Sequence, residues 1–246
     1  MNVKKEYLGG KINVFCSDTH RFGTDAVLLE YFAGFGCKST DCIMDFGCGC
    51  GIIPMLFARD LADAKIYALD IQDEAIELVG RAIKENELKN RVTPLLCDLK
   101  QIDKSLFGKF DLVTMNPPYK RVGSGLMTDN EGLNIARFEL KCNFDDIVKS
   151  AKKLLKTGGR FCVCNRPNRL CDMMTAMSNN GIEPKRLRMV SQRVNDAPML
   201  VLLEGRLSSK PDIVIENELY LQNADGSYSD EYKRIYEKWE YDRKMI

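Results

Sequence analysis

A short apolar run, Cys42-Ile43-Met44-Asp45-Phe46, breaks directly into Gly47, Gly49 and Gly51 and then into a helical stretch from Ile52 to about Ala62. A strand handed through a tight turn to a helix constrains the fold strongly, because the helix must return over the sheet and deliver the next strand parallel to the first. The pattern recurs at Lys65–Asp70, followed by a helix over about Glu74–Glu87 with Ala75, Leu78, Val79 and Ala82 on one face. Val92–Cys97, Phe110–Met115 and Arg160–Asn165 read as further strands. A helix from about Asn143 to Lys156, stopped by Gly158-Gly159, precedes the last of them, and another helix covers about Arg169–Asn179. Lys185–Val190 and Pro198–Leu203 complete seven strands, and their connection is too short for a crossover helix, which makes that pair antiparallel. Ahead of the first strand, Ala26, Val27, Leu28, Leu29, Tyr31 and Phe32 have the spacing of an amphipathic helix, with Thr24 or Asp25 near its N-cap. The expected fold class is α/β, a doubly wound seven-stranded and mostly parallel sheet whose last strand is antiparallel. We expect residues 1–22 to form an N-terminal arm, 23–205 the main domain and 206–246 a small appendage. In the last, Ile213–Gln222, an Asp225-Gly226 turn and a polar helix through Trp239 would pack on the domain or on a partner.

Composition removes several classes. With 45% apolar and 29% charged residues the chain can bury a core, and it has no apolar run near the roughly 20 residues that a membrane helix needs. The first residues carry charge without a following apolar segment, so no secretory signal is read and a cytosolic chain is expected. Ten cysteines in 246 residues are too sparse for a secreted disulfide scaffold. The close pairs, Cys48-x-Cys50 and Cys162-x-Cys164, lack metal-ligand spacing, and His20 is the single histidine, so free thiols and no metal are expected. Net charge is +1, yet Lys149–Arg193 holds eleven basic residues against two acidic ones, while Asp212–Ile246 holds nine acids against five bases.

The glycine turn sits where a strand meets a helix N-terminus, so backbone N–H groups can approach a nucleotide-like ligand. The dinucleotide pattern Gly-x-Gly-x-x-Gly fails, because its third position is Ile52 and the glycine stands at 51. No Walker-type phosphate loop is present. The segment Asp45-x-Gly47-x-Gly49-x-Gly51 resembles the first motif of the S-adenosylmethionine-dependent class I methyltransferases, which have a Rossmann-like fold. Asp70 ends the second strand 21 residues beyond Gly49, where a carboxylate can accept both ribose hydroxyls of that cofactor. By the same resemblance Asp98, after the third strand, would accept from the adenine amino group, with Ile71 and Leu99 beside the two carboxylates in the pocket.

Asn116-Pro117-Pro118-Tyr119 follows the strand Phe110–Met115 directly. An amino nitrogen conjugated to a ring or a carbonyl is a poor nucleophile because its lone pair is delocalised. An asparagine oxygen and the Pro117 carbonyl can each accept one of its hydrogens and turn the lone pair toward an electrophilic methyl. The prolines stiffen the turn, and Tyr119 offers a face for a planar group. No general base is required, and His20 is expected on the surface or at the pocket rim. The motif is shared by enzymes acting on adenine N6 and on glutamine amides, so it fixes the acceptor type and leaves the substrate open.

Phe22-Gly23-Thr24-Asp25-Ala26-Val27-Leu28-Leu29, together with the two motifs above, resembles the bacterial tRNA1(Val) adenine-37 N6-methyltransferase family along nearly the whole chain. That resemblance implies a cytoplasmic tRNA-modifying enzyme, with Arg21, Gly23, Thr24 and Asp25 at the methionine end of the cofactor. It makes Lys149–Arg193 and Lys120-Arg121 candidates for phosphate contacts; the polar stretch Lys120–Asn134, with glycines at 123, 125 and 132, reads from its composition as a mobile loop after a strand end. Other readings are methylation of ribosomal RNA, DNA adenine or a protein glutamine, a cofactor-binding scaffold without activity, and a nicotinamide oxidoreductase.

Overall fold

The computed structural model describes residues 2–117 and 143–241. Strands β1 (Lys4–Tyr7) and β2 (Asn13–Cys16) form an antiparallel hairpin that the sequence pattern did not announce. The main sheet contains β3 (Cys42–Phe46), β4 (Lys65–Asp70), β5 (Val92–Leu96), β6 (Phe110–Met115), β7 (Leu155–Asn165), β8 (Ile182–Ser191) and β9 (Leu200–Leu207). The short strands β10 (Val214–Ile215) and β11 (Leu219–Tyr220) extend it. Its order is β10-β8-β9-β7-β6-β3-β4-β5, with β11 also paired to β8. From β5 through β7 neighbours are parallel, and β9 runs antiparallel to both β7 and β8, as the seven-strand reading required.

Period-two alternation sends side chains to two cores. Ile43, Ile66, Ala68, Leu112, Cys162 and Cys164 meet helices α1 (Thr24–Gly34), α2 (Ile52–Asp60) and α3 (Asp73–Glu85) on one face. Met44, Phe46, Val113, Met115, Phe161 and Val163 meet α4 (Phe144–Leu154) and α5 (Leu170–Asn179) on the other. No disulfide joins the described cysteines, and no described helix is long and apolar enough to cross a membrane.

Three local expectations need correction. Gly158-Gly159 does not stop the helix before it: α4, held by an Asn143–Asp146 capping box, ends at Leu154, and the glycines lie inside β7. Leu155 is buried and pairs with Phe110, and the register shifts before Leu112. A Cβ at Gly159 would stand 3.0 Å from the Phe110 carbonyl oxygen, so the bend needs a residue without one. The helix α1 has no single apolar face, since even Glu30 is buried; its N-cap is Gly23, with Thr24 and Asp25 directly after it as expected. His20 is buried, not on a rim, and its Nε2 has no hydrogen-bond partner among the described residues.

The acidic tail closes on the basic strand β8. Lys185 and Arg186 face Asp212 and Glu216, and α6 (Asp230–Tyr241) sends Glu231 to Arg188 through two 2.8 Å contacts. Buried Glu204 lies between Arg160, at 3.4 Å, and Arg186, at 3.1 Å. Much of the basic excess between residues 149 and 193 is therefore neutralised within the chain.

Candidate functional site

In sequence order β3, β4 and β5 are laid down in one direction across the sheet, and β6 starts the other direction from β3. Such a reversal opens a crevice at the carboxyl ends of the strands. Asp45 ends β3 with Phe46, Asp70 ends β4, Asp98 follows β5, and Asn116 and Pro117 follow β6. The four neighbouring strands bring these residues to one edge of the sheet. Pro118, Tyr119 and the Lys120–Asn134 stretch lie outside the described residues.

Gly47, Gly49 and Gly51 all have positive φ, at 63°, 53° and 81°, and they divide into two kinds. A Cβ at Gly47 or Gly49 would meet nothing within 4 Å, whereas one at Gly51 would strike Val79 Cγ2 at 2.8 Å. Gly51 lets the loop close on α3, while Gly47 and Gly49 leave backbone open toward the crevice. Gly49 N–H donates to Asp70 Oδ2 at 2.9 Å, and Gln72 N–H donates to Asp70 Oδ1 at 3.0 Å. Each carboxylate oxygen keeps a further lone-pair direction for a ligand hydroxyl. Ile71, next along, is 49% exposed, an apolar surface at the strand tip. Asp98 accepts from Lys100 N–H at 2.9 Å and so caps the short turn Leu99–Gln101, within which Leu99 is buried.

Asp45 is buried, and Thr114 Oγ1 donates to its Oδ1 at 2.7 Å. Burial pushes this carboxyl up to about 8; the Thr114 hydrogen bond opposes the shift, and the nearby Asp70 charge adds to it. Asp45 pairs with Thr114, Thr114 with Cys162, Cys162 with Glu204 and Glu204 with Arg186 across five strands. A buried polar row thus runs under the crevice. Asn116 lies two residues beyond Thr114 and its Oδ1 accepts from Cys164 Sγ at 3.2 Å.

The residues at and before the start of α1 make local contacts. Arg21 pairs with Asp18 at 2.8 Å, both side chains well exposed. Gly23 caps α1, Thr24 shares a hydrogen bond with Tyr236 of α6, and Asp25 Oδ1 accepts from Ala26 N–H at 3.0 Å. The hairpin reaches the glycine loop through a hydrogen bond between Cys16 and Cys50. Thr114 and Cys164 were missed in the sequence because each carries no motif; the spacing of two from Asn116 and the parallel register were the available signals.

The sequence model of the family described as Methyltransferase small domain matches residues 8–181. The chain is 27% identical over 230 residues to a tRNA1(Val) (adenine(37)-N6)-methyltransferase of Flavobacteriaceae bacterium (strain 3519-10), covering 87% of this chain and 89% of that protein. It is 28% identical over 228 residues to one of the same name from Porphyromonas gingivalis (strain ATCC 33277), covering 88% and 87%. The crystal structure of a predicted O-methyltransferase from Agrobacterium tumefaciens shares the fold, with a TM-score of 0.67 over 87% of this chain and 96% of that one at 18% identity.

Proposed function

Because the chain belongs to the methyltransferase small domain family, we propose that it is an S-adenosylmethionine-dependent enzyme that methylates N6 of adenine 37 in tRNA1(Val). The observation that carries the reading is the adjacency of Asn116, at the end of β6, to the glycine loop that leaves β3. The relatives that carry the tRNA1(Val) name match it over most of both chains.

The residues present suit the cofactor. Gly47 and Gly49 leave open space where a Cβ would stand, Asp70 is held by two backbone N–H groups, and Ile71 offers an apolar face beside it. Asp70 would hold the ribose, Asp98 and Leu99 the adenine, and Gly47, Gly49 and Asp45 the methionine portion, with Arg21, Gly23, Thr24 and Asp25 closing that end. When bound, the cofactor supplies an electrophilic methyl on a sulfonium.

Asn116 Oδ1 and the Pro117 carbonyl accept the two hydrogens of the acceptor amino group, orient its lone pair and stabilise positive charge growing on nitrogen. The motif assigns stacking on the base to Tyr119, which lies outside the described residues, and the proton leaves to solvent. An anticodon-loop adenine is extruded at a cost of at most a few kcal/mol. Arg166 and Arg169 follow β7 and Arg193 follows β8, at the same end of the sheet as Asn116, and these contact tRNA phosphates. A tRNA substrate gives the enzyme a cytoplasmic site of action.

The test is incubation with methyl-labelled cofactor and separated RNA, DNA and protein fractions. Label in small RNA supports the reading, and label in protein or DNA alone rejects it. Asn116→Ala should bind cofactor as wild type does while losing turnover; retained turnover removes Asn116 from the chemistry.

A further inference from the structure

The geometry points to Cys164 as a positioning residue for the Asn116 amide, an inference that rests on the acceptor-holding role proposed for Asn116. In the parallel pairing of β6 with β7, Met115 stands opposite Val163. The next residues, Asn116 and Cys164, therefore continue the same ladder with side chains on one sheet face. Cys164 has no exposed surface and packs in the core beneath α1, α2 and α3. Its Sγ lies 3.2 Å from Asn116 Oδ1.

Here the thiol S–H donates to the amide oxygen, an acceptor with two lone pairs. This contact identifies which amide atom faces β7. The thiol uses one lone pair of Oδ1 and leaves the other for the acceptor amino group; a 180° flip of the Asn116 amide would put Nδ2, a donor, where that oxygen stands. An amino group offering two hydrogens needs an oxygen there, so a flipped amide would turn it away. The thiol acts by holding one rotamer of its neighbour and does not itself touch the acceptor. Cys164 is a small side chain in a packed core, so packing alone would explain its presence; the S–H contact is what separates the two roles.

Three variants test this: Cys164→Ala removes donor and volume, Cys164→Ser keeps a donor, and Asn116→Ala removes the group being positioned. Turnover, the KM for tRNA and cofactor affinity are measured for each, with thermal melts alongside. The expected result for Cys164→Ala is a kcat lower by roughly three- to tenfold, the worth of one neutral hydrogen bond, with KM and cofactor affinity unchanged. Cys164→Ser should return kcat to within about twofold of wild type. Wild-type kcat in Cys164→Ala, or equal losses in the Ala and Ser variants accompanied by equal drops in melting temperature, overturns the assignment while Asn116→Ala remains inactive. Full activity in Asn116→Ala instead overturns the role of Asn116, and the positioning role falls with it.

Discussion

The backbone N–H of Gly49 donates to Asp70 across 21 residues of sequence, at 2.9 Å from Oδ2. The glycine loop after β3 is thereby fastened to the tip of β4, and the other Asp70 oxygen fastens the start of the next helix through Gln72. One carboxylate sets the spacing between the turn that approaches a ligand and the strand end that holds it.

Asp70→Asn tests that fastening. One oxygen becomes an NH2, which must face either the Gly49 or the Gln72 N–H donor to donor, costing about 1–3 kcal/mol of folding stability. Loss of a charged acceptor should also weaken the cofactor by roughly 10- to 100-fold. Calorimetric titration and denaturant unfolding read the two effects. Wild-type values in both would reject the part given to Asp70.

The glycines should separate by phenotype. Gly51→Ala combines a left-handed backbone with a 2.8 Å approach to Val79 Cγ2, so it should destabilise the fold by about 2 kcal/mol or more. Gly49→Ala meets nothing within 4 Å and carries only the backbone cost, about 1 kcal/mol, while its methyl projects into the ligand's space. Thermal melts and cofactor titrations should rank the two in opposite orders, and the same rank in both assays would contradict the division.

Asp45 predicts a pH dependence. Its folded-state carboxyl is raised from the ordinary 3.8 to about 8, so between those values the folded chain keeps a proton that the unfolded chain releases. Its contribution to stability is fully present below about pH 4 and is lost as pH rises to about 8. Cofactor-free wild type should therefore lose more melting temperature than Asp45→Asn between pH 5 and 8. A constant gap between the two proteins would contradict the raised value.

Binding of tRNA should fall steeply with salt. Replacing Arg166 or Arg169 with Ala should reduce the slope of log K against log salt by roughly 1 each. Arg186→Ala should leave the slope unchanged, since that mostly buried guanidinium pairs with Glu204 at 3.1 Å and Glu216 at 3.3 Å, whereas Arg169 pairs with Asp172, at 3.4 Å, on the surface. An unchanged slope in the first two variants would remove them from the interface.

Residues with local signals were legible in the sequence. Asp45 and Asp70 stand at the ends of strands of five and six residues and Asn116 directly follows another, and their placement at one sheet edge follows from the alternation of strands and helices. What depended on pairing between distant segments was not legible. The hairpin β1–β2 has only four residues in each strand, with a burial pattern too weak to stand out. The Gly158-Gly159 pair has the appearance of a helix stop, but Leu155 is drawn into the sheet by Phe110, 45 residues earlier. The basic excess of Lys149–Arg193 invited an RNA surface, yet Arg160, Arg186 and Arg188 are held by Glu204, Glu216 and Glu231 from β9 and the tail.

The most direct measurement is mass spectrometry of tRNA1(Val) lacking its position-37 modification, after incubation with the enzyme and S-adenosylmethionine. One added methyl should appear, on the nucleoside at position 37 and identical to N6-methyladenosine, and it should be absent with Asn116→Ala. Methylation at another position or atom, or an unmodified tRNA under conditions where the cofactor binds, would contradict the account.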